Sequence, residues 1–174
     1  ATHMFMQFCD FDSVDKYGVS LELARLVSAK FLDRSAADLV DTDKLEKFFE
    51  SDLYKQMKRS KMLYREKRFN VMLPAKDFTK NEALARELEK EGAKILVQGV
   101  MDCFFELDDK TLCIVDYKTD KVRAGRDEAA RILADRYKDQ LSYYKRACEI
   151  ITGRSVSKLL IWSFALSDTV EIKI

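Results

Sequence analysis

Residues that break regular structure are scarce: the 174 residues include five glycines and one proline, where average usage of roughly 7% and 5% would give about twenty. Long regular elements therefore outweigh loops, and collagen-like or low-complexity chains are excluded. No apolar run approaches the ~18 residues of a membrane span. No charged N-terminal segment leads into a hydrophobic stretch, so neither anchor nor signal peptide is visible. The sequence reads as cytoplasmic, with no membrane partner. An excess of one charge is also lacking, since 31 Lys and Arg face 30 Asp and Glu for a net charge of +1; bulk charge alone does not announce a nucleic-acid binder. The four cysteines, Cys9, Cys103, Cys113 and Cys148, form no C-x-x-C pair and are too few for a disulfide scaffold, so reduced thiols are expected. The first residue is Ala1 rather than Met, which reads as a piece cut from something longer.

What is present suits one soluble globular unit: 47% of the residues are hydrophobic and 35% charged, enough to build a core. The first sixty residues read as helical. Leu21, Leu23, Ala24, Leu26, Val27 and Phe31 are spaced for one apolar face, and a second helix starting near Asp41-Thr42-Asp43 carries Leu45, Phe48, Phe49, Leu53 and Met57. Alternation from 62 to 73 then predicts a strand ending at Pro74, followed by a charged helix over 81–91 closed by Gly92. Runs at 94–107 and 111–117 read as an antiparallel hairpin. A long helix from Asp127 to about Thr152 stops at Gly153, and two strands follow at 158–166 and 169–174. With no internal repeat, Gly/Ser linker or second boundary, residues 1–174 read as one mixed α/β or α+β domain.

The hairpin concentrates the charged residues of interest. Gly99-Val100-Met101-Asp102 lies on one strand and Ile114-Val115-Asp116-Tyr117-Lys118 ends the next. A strand carboxylate among Val100, Met101, Cys103 and Phe104 needs partners or a cation to offset its desolvation. Asp102 and Asp116 together supply hard oxygen ligands for Mg²⁺ or Mn²⁺, and Lys118, two residues beyond Asp116, projects on the same side of its strand. Tyr117 points to the other face and is expected in the core. Gln140 and Tyr144, four apart on the long helix, share a face.

With these residues in view, the chain resembles the RecB-type branch of the PD-(D/E)XK nuclease superfamily, and more closely the C-terminal nuclease domain of AddA-type helicase–nuclease subunits. The resemblance rests on Ala1-Thr2-His3 with Met6-Gln7 and Asp10-Phe11, Tyr64-Arg65-Glu66, Val97-Gln98-Gly99-Val100-Met101-Asp102, Val115-Asp116-Tyr117-Lys118-Thr119-Asp120, and Gln140-Leu141-Ser142-Tyr143-Tyr144. It implies a restriction-endonuclease-like core, a central mixed sheet flanked by helices, behind an N-terminal helical segment. It also implies a Mg²⁺- or Mn²⁺-dependent deoxyribonuclease acting on single-stranded ends and unwound duplex during recombinational repair, beside an AddB-type subunit. Asp102, Asp116 and His3 would be metal ligands. Lys118 would position or activate the attacking water, Glu66 would touch the metal indirectly, and Gln140 and Tyr144 complete the expected set.

Relatives that carry an iron–sulfur cluster use one upstream cysteine and three near the C-terminus; here Cys148 alone follows the catalytic strand, so no cluster is expected. No Gly-x-x-x-x-Gly-Lys-Ser/Thr occurs, so ATP would be used by a helicase part outside these residues. Phosphate contacts are expected from Lys55, Lys58, Arg59, Lys61, Arg65, Lys67 and Arg68, and from Lys121, Arg123 and Arg126, without reading sequence. Two other readings fit the same residues: an inactive nuclease-fold module that binds DNA or a partner, and a standalone restriction-type endonuclease.

Overall fold

A computed structural model describes residues 1–173. Six short helices open the chain: α1 (Thr2–Phe8), α2 (Phe11–Tyr17), α3 (Val19–Ser28), α4 (Arg34–Ala37), α5 (Thr42–Glu50) and α6 (Asp52–Arg59). Side-chain caps cut this segment into pieces. Asp10 accepts the Ser13 N–H at the start of α2, and Asp41 accepts the Lys44 N–H at the start of α5. Ser51 takes the Tyr54 N–H with its own backbone extended, so the single helix expected beyond residue 42 is two. The apolar face expected from Leu21 to Phe31 also needs correction: α3 ends at Ser28, and Leu21 and Phe31 are 62% and 44% exposed.

The second half matches expectation more closely. Strand β1 (Leu63–Pro74) leads through a 3-10 turn (Ala75–Phe78) to α7 (Glu82–Lys90), which Asn81 caps through the Ala83 and Leu84 N–H groups. Strands β2 (Lys94–Glu106) and β3 (Leu112–Lys118) precede the long α8 (Arg126–Thr152), which ends at Gly153 with φ 66, a left-handed stop that glycine adopts readily. Strands β4 (Val156–Ser163) and β5 (Asp168–Glu171) follow; of the run expected at 169–174, residues 172 and 173 are outside the strand and 174 lies outside the described residues. Among the described residues no helix is long and apolar enough to cross a membrane.

The five strands form one sheet in the order β1-β2-β3-β4-β5. All neighbouring pairs are antiparallel except β3 and β4, which run parallel because α8 carries the chain back between them. One face packs against the N-terminal helices, where Phe5, Leu26, Leu45, Phe48 and Met57 meet Val115, Tyr117 and Trp162. The other packs against α8, where Leu141, Ala147 and Cys148 meet Ile114, Leu159 and Ile161. All four cysteines are buried and unpaired, three in the first core and Cys148 in the second.

One irregularity positions the site. Residues two apart on a strand share a face, yet Met101 lies in the α8-side core and Cys103 in the opposite one. The side-chain alternation of β2 therefore switches at Asp102, and across from it Glu66 on β1 has φ 52. Cross-strand pairing of β2 with β3 runs from Glu106 only as far as Cys103, opposite Val115. Beyond that point the two strands part, and Asp102 stands in the fork.

Candidate active site

The Asp102 side chain takes over where the ladder stops: its Oδ2 accepts the Tyr117 N–H at 2.7 Å. This bond ties the carboxylate to the end of β3, between Asp116 and Lys118. Asp116 shares the α8-facing side of β3 with Ile114, and only 2% of it is exposed. Its buried Oδ2 lies 2.6 Å from Lys118 Nζ, an ion pair that is the only polar contact this oxygen makes among the described residues. Burial, reinforced by the charge of Asp102, pushes the Asp116 carboxyl up to about 6. Asp102 is raised mainly by burial, with Glu66 adding to the effect and the Tyr117 N–H, His3 and Lys118 opposing it. Burial works against the Lys118 ammonium, but Asp116 outweighs it and holds the amine above its ordinary range.

Glycine at position 99 makes room for the wall of this fork. A Cβ there would stand 2.8 and 2.9 Å from the Phe69 ring and 3.6 Å from Tyr144. The Phe69 and Tyr144 rings meet edge to face at 5.6 Å. Gln140 Nε2 donates to the Tyr144 hydroxyl at 2.9 Å, so the helical pair expected from the sequence is joined directly. Tyr117 points into the opposite core, as its alternation requires, and packs edge-on to Phe48 at 5.5 Å. Glu66 is half-buried, and desolvation raises its carboxyl against the pull of Arg65 and His3.

His3 arrives from α1 at the end of β3. Its Nε2 lies 2.5 Å from the Tyr117 carbonyl oxygen. A carbonyl only accepts, so Nε2 carries the proton in this arrangement, and Nδ1 is the nitrogen left with a lone pair. The imidazole is near enough for its charge to work on the Asp102, Asp116 and Glu66 carboxyls, lowering each against their burial. Among the described residues no three His, Cys, Asp or Glu side chains are grouped closely enough to enclose a metal ion. The donors that fit a hard divalent cation are the half-buried Asp102 and the buried Asp116, two carboxylates that repel one another with the Lys118 ammonium beside them.

Several expected phosphate contacts are engaged in holding the fold. Lys55 pairs with Asp52, Lys58 with Asp12 and Asp15, and Arg126 with Asp168. Arg65 donates to the Cys9 carbonyl at 2.8 Å and to that of Met6, and lies 4.0 Å from the Phe11 ring centre. It fastens the C-terminal end of α1 to β1, a task its place in a basic run did not reveal. Among the described residues Arg59, Lys61, Lys67, Arg68, Lys121 and Arg123 have no carboxylate partner. Sequence reasoning also passed over Tyr137, which sits three residues before Gln140 on the same helical face and places its ring 4.3 Å from Lys118 Nζ.

A mixed five-stranded sheet between helical layers, with a carboxylate pair and a lysine at the fork of two strands, is compatible with a PD-(D/E)XK-like core. The chain is homologous over almost all of its length to one segment of the AddA-type subunits of ATP-dependent helicase/nucleases, in agreement with the resemblance of its motifs. It is 36% identical to the protein of that name from Acetivibrio thermocellus over 165 residues, 93% of this chain. Identity is 34% over 172 residues with that of Ruminiclostridium cellulolyticum and 30% over 174 residues with that of Clostridium novyi, each 99% of the chain. The chain spans only 12–14% of the length of these relatives. No family model matches it.

Proposed function

We propose that residues 1–174 form a divalent-metal-dependent DNA nuclease domain, the phosphodiester-cleaving part of a longer ATP-dependent helicase–nuclease that processes DNA ends beside a second, AddB-type subunit. The observation that carries this reading is the fork itself: Asp102 accepting the Tyr117 N–H at 2.7 Å beside a buried Asp116 whose Oδ2 is paired only with Lys118 Nζ, 2.6 Å away. That set places two carboxylates against one ammonium in a largely water-excluded fork, an excess of negative charge that a divalent cation would offset. The relatives, named as subunits of an ATP-dependent helicase/nuclease, point the same way.

Asp102 and Asp116 would hold Mg²⁺ or Mn²⁺, which when bound polarises the phosphoryl group and neutralises charge developing there. Lys118, released from its pairing, presents an ammonium to a non-bridging phosphate oxygen or to the attacking water. Gln140 and Tyr144, joined by their own hydrogen bond, form a polar edge against which the strand being cut can lie. Glu66 adds negative charge beside Asp102, and His3 anchors α1 to the end of β3 through the Tyr117 carbonyl.

The test is release of labelled nucleotides from single-stranded DNA in Mg²⁺, Mn²⁺ or EDTA, with Asp116→Ala alongside. Cleavage that requires the metal and disappears in the variant is the expected result. Retained DNA binding with no cleavage by the unaltered chain in any metal would replace this reading with that of a binding module.

A further inference from the structure

We propose that Tyr137 is the positioning residue for Lys118, and that Asp120 fixes Tyr137 for this purpose; the catalytic meaning of the arrangement rests on the nuclease reading above. Lys118 is the last residue of β3 and has two neighbours of opposite character. On one side is Asp116, whose carboxylate pairs with the ammonium at 2.6 Å. On the other is the Tyr137 ring, 4.3 Å from Nζ to its centre, a cation–π contact within the ~6 Å reach of that interaction. The ring is not free to swing. Its hydroxyl donates to Asp120 Oδ2 at 2.9 Å, and Arg136 Nη1 holds the other oxygen of that carboxylate at 3.2 Å.

The arrangement solves a definite problem. If Asp116 turns its oxygens to a cation, Lys118 loses the attraction that holds it, and a four-carbon side chain with three donors would swing to water. A ring face attracts the ammonium without offering a competing hydrogen-bond acceptor. The three N–H donors therefore stay available while the position is kept. Because Tyr137 rides on α8 three residues before Gln140, one helix sets the lysine and the polar edge at once.

The experiment uses the 174-residue chain labelled with ¹³C at lysine Cε, the Lys118 signal being the one absent from Lys118→Met. Spectra and single-stranded DNA cleavage are followed for Tyr137→Phe, Tyr137→Leu and Asp120→Asn, with thermal melts to verify folding. Ring-current displacement of the Lys118 ε-protons is expected in the unaltered chain with and without Mg²⁺. It should persist in Tyr137→Phe, shrink in Asp120→Asn and vanish in Tyr137→Leu. Cleavage is expected to lose about tenfold in kcat with KM unchanged in Tyr137→Leu, and to be largely rescued by Tyr137→Phe. A Lys118 signal that does not move in Tyr137→Leu overturns the proposal, as does an unchanged kcat in that variant while Lys118→Met is inactive. If the unaltered chain cleaves no DNA, the nuclease reading fails, and the spectra alone decide whether Tyr137 holds the lysine. Should Tyr137→Leu not fold, the comparison of Tyr137→Phe with Asp120→Asn carries the same decision.

Discussion

At the scale of single residues, the site is a place where the fold bears a cost. Asp116 is shut away from water beside another carboxylate, and its carboxyl is pushed from an ordinary 3.8 up to about 6. Between those two pH values the folded chain holds a proton that the unfolded chain has lost, so this residue's contribution to stability falls as pH rises and the penalty is complete above about 6. Asp116→Asn removes the charge while keeping the shape. In EDTA at pH 7.5 the variant should therefore be more stable than the unaltered chain by about 1–3 kcal/mol, a range that allows for the partner Lys118 loses. Below about pH 4 the two should converge. Urea denaturation at both pH values measures the difference; a variant less stable at pH 7.5 would mean that the Lys118 pairing outweighs the burial of charge. Much of this is legible in the sequence. Asp102, Asp116 and Lys118 declare themselves by charge inside apolar runs, and their spacing places them on neighbouring strands. His3 stands out through the motif it sits in, but its bond to a backbone carbonyl depends on where α1 lies, and spacing carries no information about that.

At the scale of elements, the sequence is most readable where one strong signal dominates. The long α8 has a breaker-free run and a glycine stop, β1 ends at its proline, and the hairpin of β2 and β3 alternates around a short polar turn. It is least readable in the N-terminal helices, where Asp10, Asp41 and Ser51 caps compete with continuous helical periodicity and win locally. The face switch at Asp102 is not legible at all, because it needs the position of three strands at once: Glu66 at positive φ on β1, the end of the ladder at Cys103, and the Tyr117 N–H waiting on β3. Gly99 belongs to the same device, and its role is testable. An added methyl would meet the Phe69 ring at under 3 Å, with the Tyr144 ring next in line. Gly99→Ala should destabilise the fold by about 1–3 kcal/mol, the usual cost of overpacking. Since displacing Phe69 displaces Tyr144, it should also weaken DNA cleavage more than a surface variant of equal stability. Thermal melts beside cleavage rates separate the two effects, and a Gly99→Ala chain with unaltered activity would show that the Gln140–Tyr144 edge does not need this wall.

At the scale of the whole molecule, a net charge of +1 gives no long-range field to draw in a polyanion, so attraction to DNA has to come from local cations that the fold leaves free. The structure divides the basic residues for this purpose. Lys58 and Arg126 are bound to carboxylates and Arg65 to the end of α1, whereas among the described residues Lys67 and Arg68 on β1 and Lys121 and Arg123 after β3 have no carboxylate partner. If each of those four neutralises one phosphate of a single strand, the logarithm of affinity should fall with the logarithm of salt at a slope of about −3, taking about 0.7 per contact. The double change Lys121→Gln with Arg123→Gln should bring that slope to about −1.5 and weaken binding equally for oligonucleotides of different sequence, because phosphate contacts carry no base information. Lys58→Gln with Arg126→Gln removes the same formal charge from paired positions and should leave the slope where it was. Anisotropy of a labelled oligonucleotide across a salt series, measured on the Asp116→Asn background so that no strand is cut, makes the comparison. Equal loss of slope from both double variants would mean that overall charge governs binding and that the path of the strand past the fork is not fixed by the residues left unpaired.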